Sequence, residues 1–183
     1  MWTVLLATSL ASAQSATPER GDWAIGARAS RWYGEETALG VGGHLRLTPW
    51  DRMGLELFWD SFARPEPLVD ELWHAHVIGF HVLLPMGGNE RTVVGPTFGA
   101  CTSVEALTPM KRDAPGVADL RFAPHAGVYI DHALAERWTA GARATAYAYL
   151  GNAPHLDGWS AQTSNTLHVD PTLQINASVT RWF

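Results

Sequence analysis

From Trp23 onward the chain alternates between apolar and polar positions with a period of two. The alternation comes in segments of about ten residues, separated by turn-forming residues, the pattern of strands that show an apolar face and a polar face. Eight such segments can be read. In DWAIGARAS, Trp23, Ile25, Ala27 and Ala29 share one side, with Arg28 and Ser30 on the other. LGVGGHLRL sets Val41, Leu45 and Leu47 against Gly42, His44 and Arg46. MGLELFWDS sets Leu55, Leu57 and Trp59 against Glu56, Phe58 and Asp60. HVIGFHVLL sets Ile78, Phe80, Val82 and Leu84 against Gly79 and His81. TVVGPTFGACTS and DLRFAPHAGVYI continue the theme, the latter with Arg121, His125 and Tyr129 on its polar side. WTAGARATAYAY carries alanine at every second position, from Ala140 to Ala148, opposite Gly141, Arg143, Thr145, Tyr147 and Tyr149. Alanine favours helix, but the strict period of two, with Thr and Tyr at alternate sites, predicts a strand. The eighth segment, from about Thr166, ends in LQINASVTRWF. There Leu173, Ile175, Ala177 and Val179 alternate with Gln174, Asn176, Ser178 and Thr180, and Arg181, Trp182 and Phe183 follow.

The connections between segments alternate in length. TPWDRM (48–53), PMGGN (85–89) and DHALAER (131–137) are short. YGEETAL (33–39) is intermediate, and RPEPLVDELW (64–73), LTPMKRDAPGV (107–117) and GNAPHLDGWSAQTSN (151–165) are long. An up-and-down transmembrane barrel that starts and ends on the periplasmic side has short turns there and longer loops outside. Aromatic residues fall near predicted strand ends: Trp23, Trp50, Trp138, Trp182 and Phe183 on the short-turn side, and Trp32, Tyr33, Trp59, Trp73, Tyr149 and Trp159 on the long-loop side. Two such belts are expected where a barrel crosses the membrane–water boundaries. Together these features predict an all-β fold: an eight-stranded antiparallel up-and-down transmembrane β-barrel.

Composition narrows the alternatives. The chain has 183 residues, 46% of them hydrophobic, enough for one domain and too apolar for a disordered chain. Its formal net charge of -5 gives no sign of a nucleic-acid partner. One cysteine, Cys101, excludes an internal disulfide and a four-thiolate metal site. At the start, MWTVLLATSLASAQ has an apolar stretch from Trp2 to Leu10 followed by Ala11-Ser12-Ala13, a small-x-small pattern. It reads as a signal peptide over residues 1–13, leaving a barrel domain over 14–183, although no basic residue precedes Arg20.

If the apolar faces meet lipid, the polar faces turn inward and bring Arg28, His44, Arg46, Glu56, Asp60, His81, Arg121, His125, Arg143, His168 and Asp170 into the lumen. Buried charges must be paired, so these residues are expected to form a polar network that fills an interior just wide enough for side chains. The competing chemistry is an ion path, or a metal site built from His44, His81, His125 and His168; no ligand spacing supports the latter, and no cofactor is expected. His74-x-His76 places two imidazoles on one face of a strand. A soluble lipocalin-like barrel is the other rival, with the same alternation and the apolar side within.

The pattern resembles the small eight-stranded outer-membrane β-barrels of Gram-negative bacteria. In that family a terminal Phe preceded by alternate hydrophobic residues is the signal read by the barrel-assembly machinery. Phe183, Val179, Ala177 and Ile175 match it, and Arg181 departs where an apolar or aromatic residue is usual. The resemblance implies the outer membrane and its lipids as surroundings, and a structural or partner-binding role through the outer loops; a narrow channel is the alternative. Some members act on lipid A. The deacylase type carries His-x-Ser followed by Glu, and no His-x-Ser occurs here, so no enzyme is expected. Pro96, Pro124 and Pro171 fall inside predicted strands, where each removes a ladder donor.

Overall fold

The computed structural model describes residues 21–34, 37–50, 52–66, 71–109, 117–151 and 168–183. Segment 1–13 and Trp159 lie outside them. Among the described residues nine strands run in chain order: β1 (Trp23–Tyr33), β2 (Thr37–Trp50), β3 (Met53–Glu66), β4 (Glu71–Leu83), β5 (Gly87–Asn89), β6 (Thr92–Pro109), β7 (Val117–Ala135), β8 (Trp138–Gly151) and β9 (His168–Trp182). Every pairing is antiparallel, and both β4 and β5 pair with β6, so these two form one stave and the wall has eight. β1 pairs with β9 from Ala24↔Trp182 to Tyr33↔Leu173, and β4 pairs with β6. The sheet therefore closes without a free edge, which satisfies the backbone groups that lipid would leave unbonded. The segment with alanine at every second position is strand, because its alternate Thr and Tyr side chains need a two-sided surface.

The structure resolves the lipocalin alternative, which parity alone leaves open. The apolar face is the outer wall: Leu39, Val41 and Ile78 are 70%, 69% and 66% exposed. The charged face is inside, with Glu56 and His81 both 0% exposed. A cylinder that is apolar outside and ionic within suits a hydrocarbon surrounding and is costly in water.

The short turns are tighter than the sequence implied. Residues 85–89 are not a turn. Leu84 and Met86 donate backbone hydrogen bonds to the Pro96 and Val94 carbonyls at 3.2 and 3.0 Å, which carries the ladder past Pro85 into β5. Leu83 pairs with Thr97 and Gly87 with Val94, so the stave holds one extra residue there, a bulge that Pro85 tolerates. The turn itself lies at Glu90–Arg91, where the Asn89 carboxamide oxygen accepts from the Arg91 and Thr92 amides, both at 2.9 Å. Likewise β7 runs to Ala135, so Asp131, read from sequence as a turn residue, is a strand residue facing inward.

The strand prolines find places where a donor is dispensable. Pro124 falls where the β7–β8 pairing lapses, between Phe122↔Leu150 and His125↔Tyr147. Pro171 lies beyond Leu173, the last β9 residue paired with β1. Pro96 lies opposite the bulged stave.

Candidate functional site

The lumen is organised in tiers, and the middle tier is ionic. Glu56 on β3 is its hub. Arg143 on β8 donates both terminal nitrogens to it, Nη2 to Oε2 at 2.9 Å. Arg46 Nε on β2 donates to Oε2 at 2.6 Å, and Arg28 Nη1 on β1 reaches Oε1 at 3.4 Å. The network extends both ways. Arg28 Nη2 donates to Asp60 Oδ2 at 2.6 Å, and Gln174 Nε2 donates to the same oxygen at 2.6 Å. Arg46 Nη1 donates to Asp131 Oδ2 at 2.6 Å. Three guanidinium groups thus meet three carboxylates, and the charges cancel inside a medium that punishes an unpaired ion. Six strands contribute, so the network ties opposite walls together in a way no backbone ladder does.

Glycines opposite these groups make the room. A Cβ on Gly42 would collide with the Trp59 carbonyl and Asp60 Oδ1, and one on Gly26 would collide with His44 Nε2. Neighbouring inward positions alternate large and absent side chains, so a narrow cylinder holds four arginines.

The histidines do not converge on one point. His44 Nε2 shares a hydrogen bond with Thr180 Oγ1 at 2.9 Å. His81 Nδ1 and His125 Nε2 share another at 2.9 Å, and His81 stacks on Phe58 at 4.5 Å. His168 begins β9 opposite Gly151; its side chain lies outside what is described. Among the described residues no cluster of three or more His, Cys, Asp or Glu could hold a metal. His74 and His76 stand together on the outer wall, ring centroids 5.9 Å apart. Ser61 Oγ lies 2.9 Å from His76 Nδ1, but no described carboxylate bonds to that imidazole, so the third member of an acyl-transfer triad is missing from this pair.

Above the ions lies an aromatic tier that corrects the sequence reading. Trp32, Trp73 and Tyr149, placed from sequence in an outer belt, turn inward and are buried. Trp32 stacks on Tyr149 at 5.1 Å and meets Phe62 and Trp73 edge-on at 5.2 and 6.0 Å; Tyr147 stacks on Tyr149 at 5.8 Å. All sit at polar-parity positions, and parity outweighs the boundary preference of the ring. Above them Arg121 lies over Tyr149 at 5.0 Å and donates to Glu105 at 3.1 Å and Asp170 at 3.0 Å. Glu105 and Asp131 are ion partners the sequence reading missed; both have the inward parity of their strands, but they lay past the ends of the segments as read.

The lower boundary is aromatic on the outer wall. Trp23, Trp50, Trp138 and Phe183 are exposed there, and Trp23 stacks on Phe183 at 4.3 Å. Trp182 has the opposite parity, is partly buried, and donates Nε1 to Thr139 Oγ1 at 3.3 Å. Trp59 stands outward at the middle of β3, its ring covering Gly43, not at the strand's upper end. Arg181 faces outward between two rings, 4.9 Å from the Phe183 centroid and 5.8 Å from Trp138. Cation–π contact and an interfacial position account for a cation in an apolar series.

No known protein-family pattern matches the sequence, and no curated protein matches it. Solved structures do match the fold. A major outer membrane protein from Thermus thermophilus superposes with TM-score 0.60 at 10% identity, over 89% of this chain and 99% of that one. The N-terminal β-barrel domain of Pseudomonas aeruginosa OprF gives 0.59 at 12%, over 91% and 100%. Neisserial surface protein A gives 0.56 at 9%, over 87% and 95%. At such identities the likeness is one of architecture. The chain has the fold of the small eight-stranded outer-membrane β-barrels.

Proposed function

We propose that the chain is a barrel of a Gram-negative outer membrane whose lumen is plugged and whose work is done at its outer end, as a structural element or as a binder of a partner. The plug is the network Arg28, His44, Arg46, Glu56, Asp60, His81, Arg121, His125, Arg143, His168 and Asp170, with Glu105 and Asp131 added. The observation that carries the reading is the vertical succession of the ion cluster and the aromatic tier across the full width of the lumen. A second observation supports the outer end as the working surface. Crossing a bilayer takes a strand of about 9–11 residues, whereas β6 and β7 have 18 and 19 and stay paired up to Leu107↔Val117. This hairpin rises well clear of the lipid. In the same reading β9, with Phe183, is the segment offered to the assembly machinery, and no catalytic step is assigned.

Planar-bilayer recording tests the plug. The wild-type protein is expected to give no discrete conductance steps, and regular steps would overturn the proposal. Replacing residues 110–116 and 152–167 by short Gly-Ser turns is expected to leave the barrel folded and to abolish attachment of cells displaying it to a fixed surface. A narrow channel is the second reading, favoured by one feature. Thr97, Thr145 and Thr172 hydroxyls, the Tyr147 hydroxyl, Gln174 Oε1 and Asn176 Nδ2 are buried along one inner wall without a protein partner, a strip suited to water.

A further inference from the structure

The outer wall is convex and studded with Val, Ile, Leu and Phe, except across β8. From Ala140 to Ala148 its outward positions carry only methyl groups, while Val128 and Ile130 on β7 and Ile175 and Val179 on β9 stand larger beside them. The result is a shallow apolar groove of about 610 Å³, open along the outer wall, with Ala142 and Ala144 as its floor and Val94, Val128, Ile130 and Ile175 at its sides. Ligand-sized sites run from about 300 to 1,000 Å³.

The groove has a definite depth. From Trp138 at the lower boundary to Ala144 is six residues, about 20 Å along a strand. With a tilt near 40° that is about 15 Å of height, half of a hydrocarbon core of about 30 Å. The groove therefore occupies the leaflet on the short-turn side.

Its lower rim is polar. In the row beneath Ala142, His132 pairs with Ala140, which pairs with Val179; in the next row Trp138 pairs with Arg181. His132 and Arg181 thus flank β8 from β7 and β9, one row apart in height, and two strand spacings combined with two residues of rise put their backbones about 12 Å apart. Thr92 Oγ1 lies 2.9 Å from His132 Nδ1. When that hydroxyl donates, the ring proton is on Nε2, which is left to donate outward. A guanidinium and an imidazole N–H on either side of a groove mouth complement a phosphate, and the Trp138 ring lies at headgroup level.

We propose that the groove seats one acyl chain of an anionic glycerophospholipid, with its phosphate held between Arg181 and His132. A second copy of the chain fits less well. It would set a second convex wall against a concave one and bring one Arg181 toward another.

Native mass spectrometry of the folded protein, released from vesicles of phosphatidylglycerol, phosphatidylethanolamine or phosphatidylcholine, tests this. The wild type is expected to retain one phosphatidylglycerol at least about tenfold more than phosphatidylcholine, which offers the same phosphate but brings its choline cation against Arg181. Arg181→Ala with His132→Ala should erase that preference. Ala142→Leu with Ala144→Leu should abolish retention of all three lipids. Every substituted side chain faces outward, and unchanged gel mobility before boiling confirms that each variant is folded. Equal retention of the three lipids by the wild type, retention unaffected by filling the groove, or a dimer in place of a lipid adduct would each overturn the proposal. The measurement does not involve the outer loops or the plug, so it succeeds or fails independently of the function proposed above.

Discussion

Glu56 shows what one residue decides in this barrel. Its two oxygens receive Arg28, Arg46 and Arg143. Truncating it would leave three cations short of a partner in a space that water enters poorly, and breaking a buried ionic group of this kind costs about 3–5 kcal/mol. Glu56→Ala is therefore expected to lower the urea midpoint of unfolding in lipid vesicles sharply. Adding Arg143→Ala should cost less than the sum of the two single changes, because the second removes a charge the first left unpaired. Additive losses would show that the network is not coupled. Glycine gives a contrast of position. Gly42→Ala is expected to destabilise, since its methyl would sit against Asp60 and the Trp59 carbonyl, whereas Gly87→Ala, whose Cβ meets nothing closer than Val94 Cγ2 at 3.5 Å, should be tolerated. The ranking can be read from the temperature at which each variant loses its folded gel mobility.

At the scale of the element, strand type and facing were legible in the sequence, and strand ends were not. The alternation in LQINASVTRWF fixes which residues face lipid, because a slip of one position would expose Asn176 and bury Val179. What it could not give is where pairing stops. The apparent turn at 85–89 contains proline and two glycines, yet the opposite strand offers carbonyls to Leu84 and Met86, and the stave continues. Closure also belongs to this scale. Ala29 and Ala177 are paired across the β1–β9 seam and both face outward. Cysteines at these two positions are expected to form a disulfide on oxidation that holds the barrel through boiling, seen as mobility that reduction restores. Failure to cross-link would count against the seam. Trp23 and Phe183 clasp the lower end of the same seam. Phe183→Ala should lose the stacking, about 0.5–1.5 kcal/mol beyond burial, and lower the folded fraction recovered in vesicles.

On the scale of the whole molecule, the tiers act in series. In the proposed reading the aromatic layer of Trp32, Phe62, Trp73, Tyr147 and Tyr149 closes the lumen above the ions, so opening a path would mean breaching both. Trp32→Ala with Tyr149→Ala is expected to remain non-conducting in planar bilayers while the ionic tier is intact. Adding Arg143→Ala is expected to produce conductance steps. Conductance in the first double variant would mean that the ionic tier is no barrier. In that reading the polar strip from Thr97 to Asn176 would hold water without forming a pore.

The sequence by itself determined the number of staves and which residues of each strand share a face. Those features follow from a period of two in a chain whose two faces meet opposite media, and that constraint is local. Only the tertiary structure decided that the apolar face is the outer one, which Arg meets which carboxylate, that Trp32, Trp73 and Tyr149 stack against one another across the lumen, and that an alanine series on β8 becomes a groove. These depend on which strands stand opposite or beside one another across a closed cylinder, and a linear pattern carries no information about distance across a lumen.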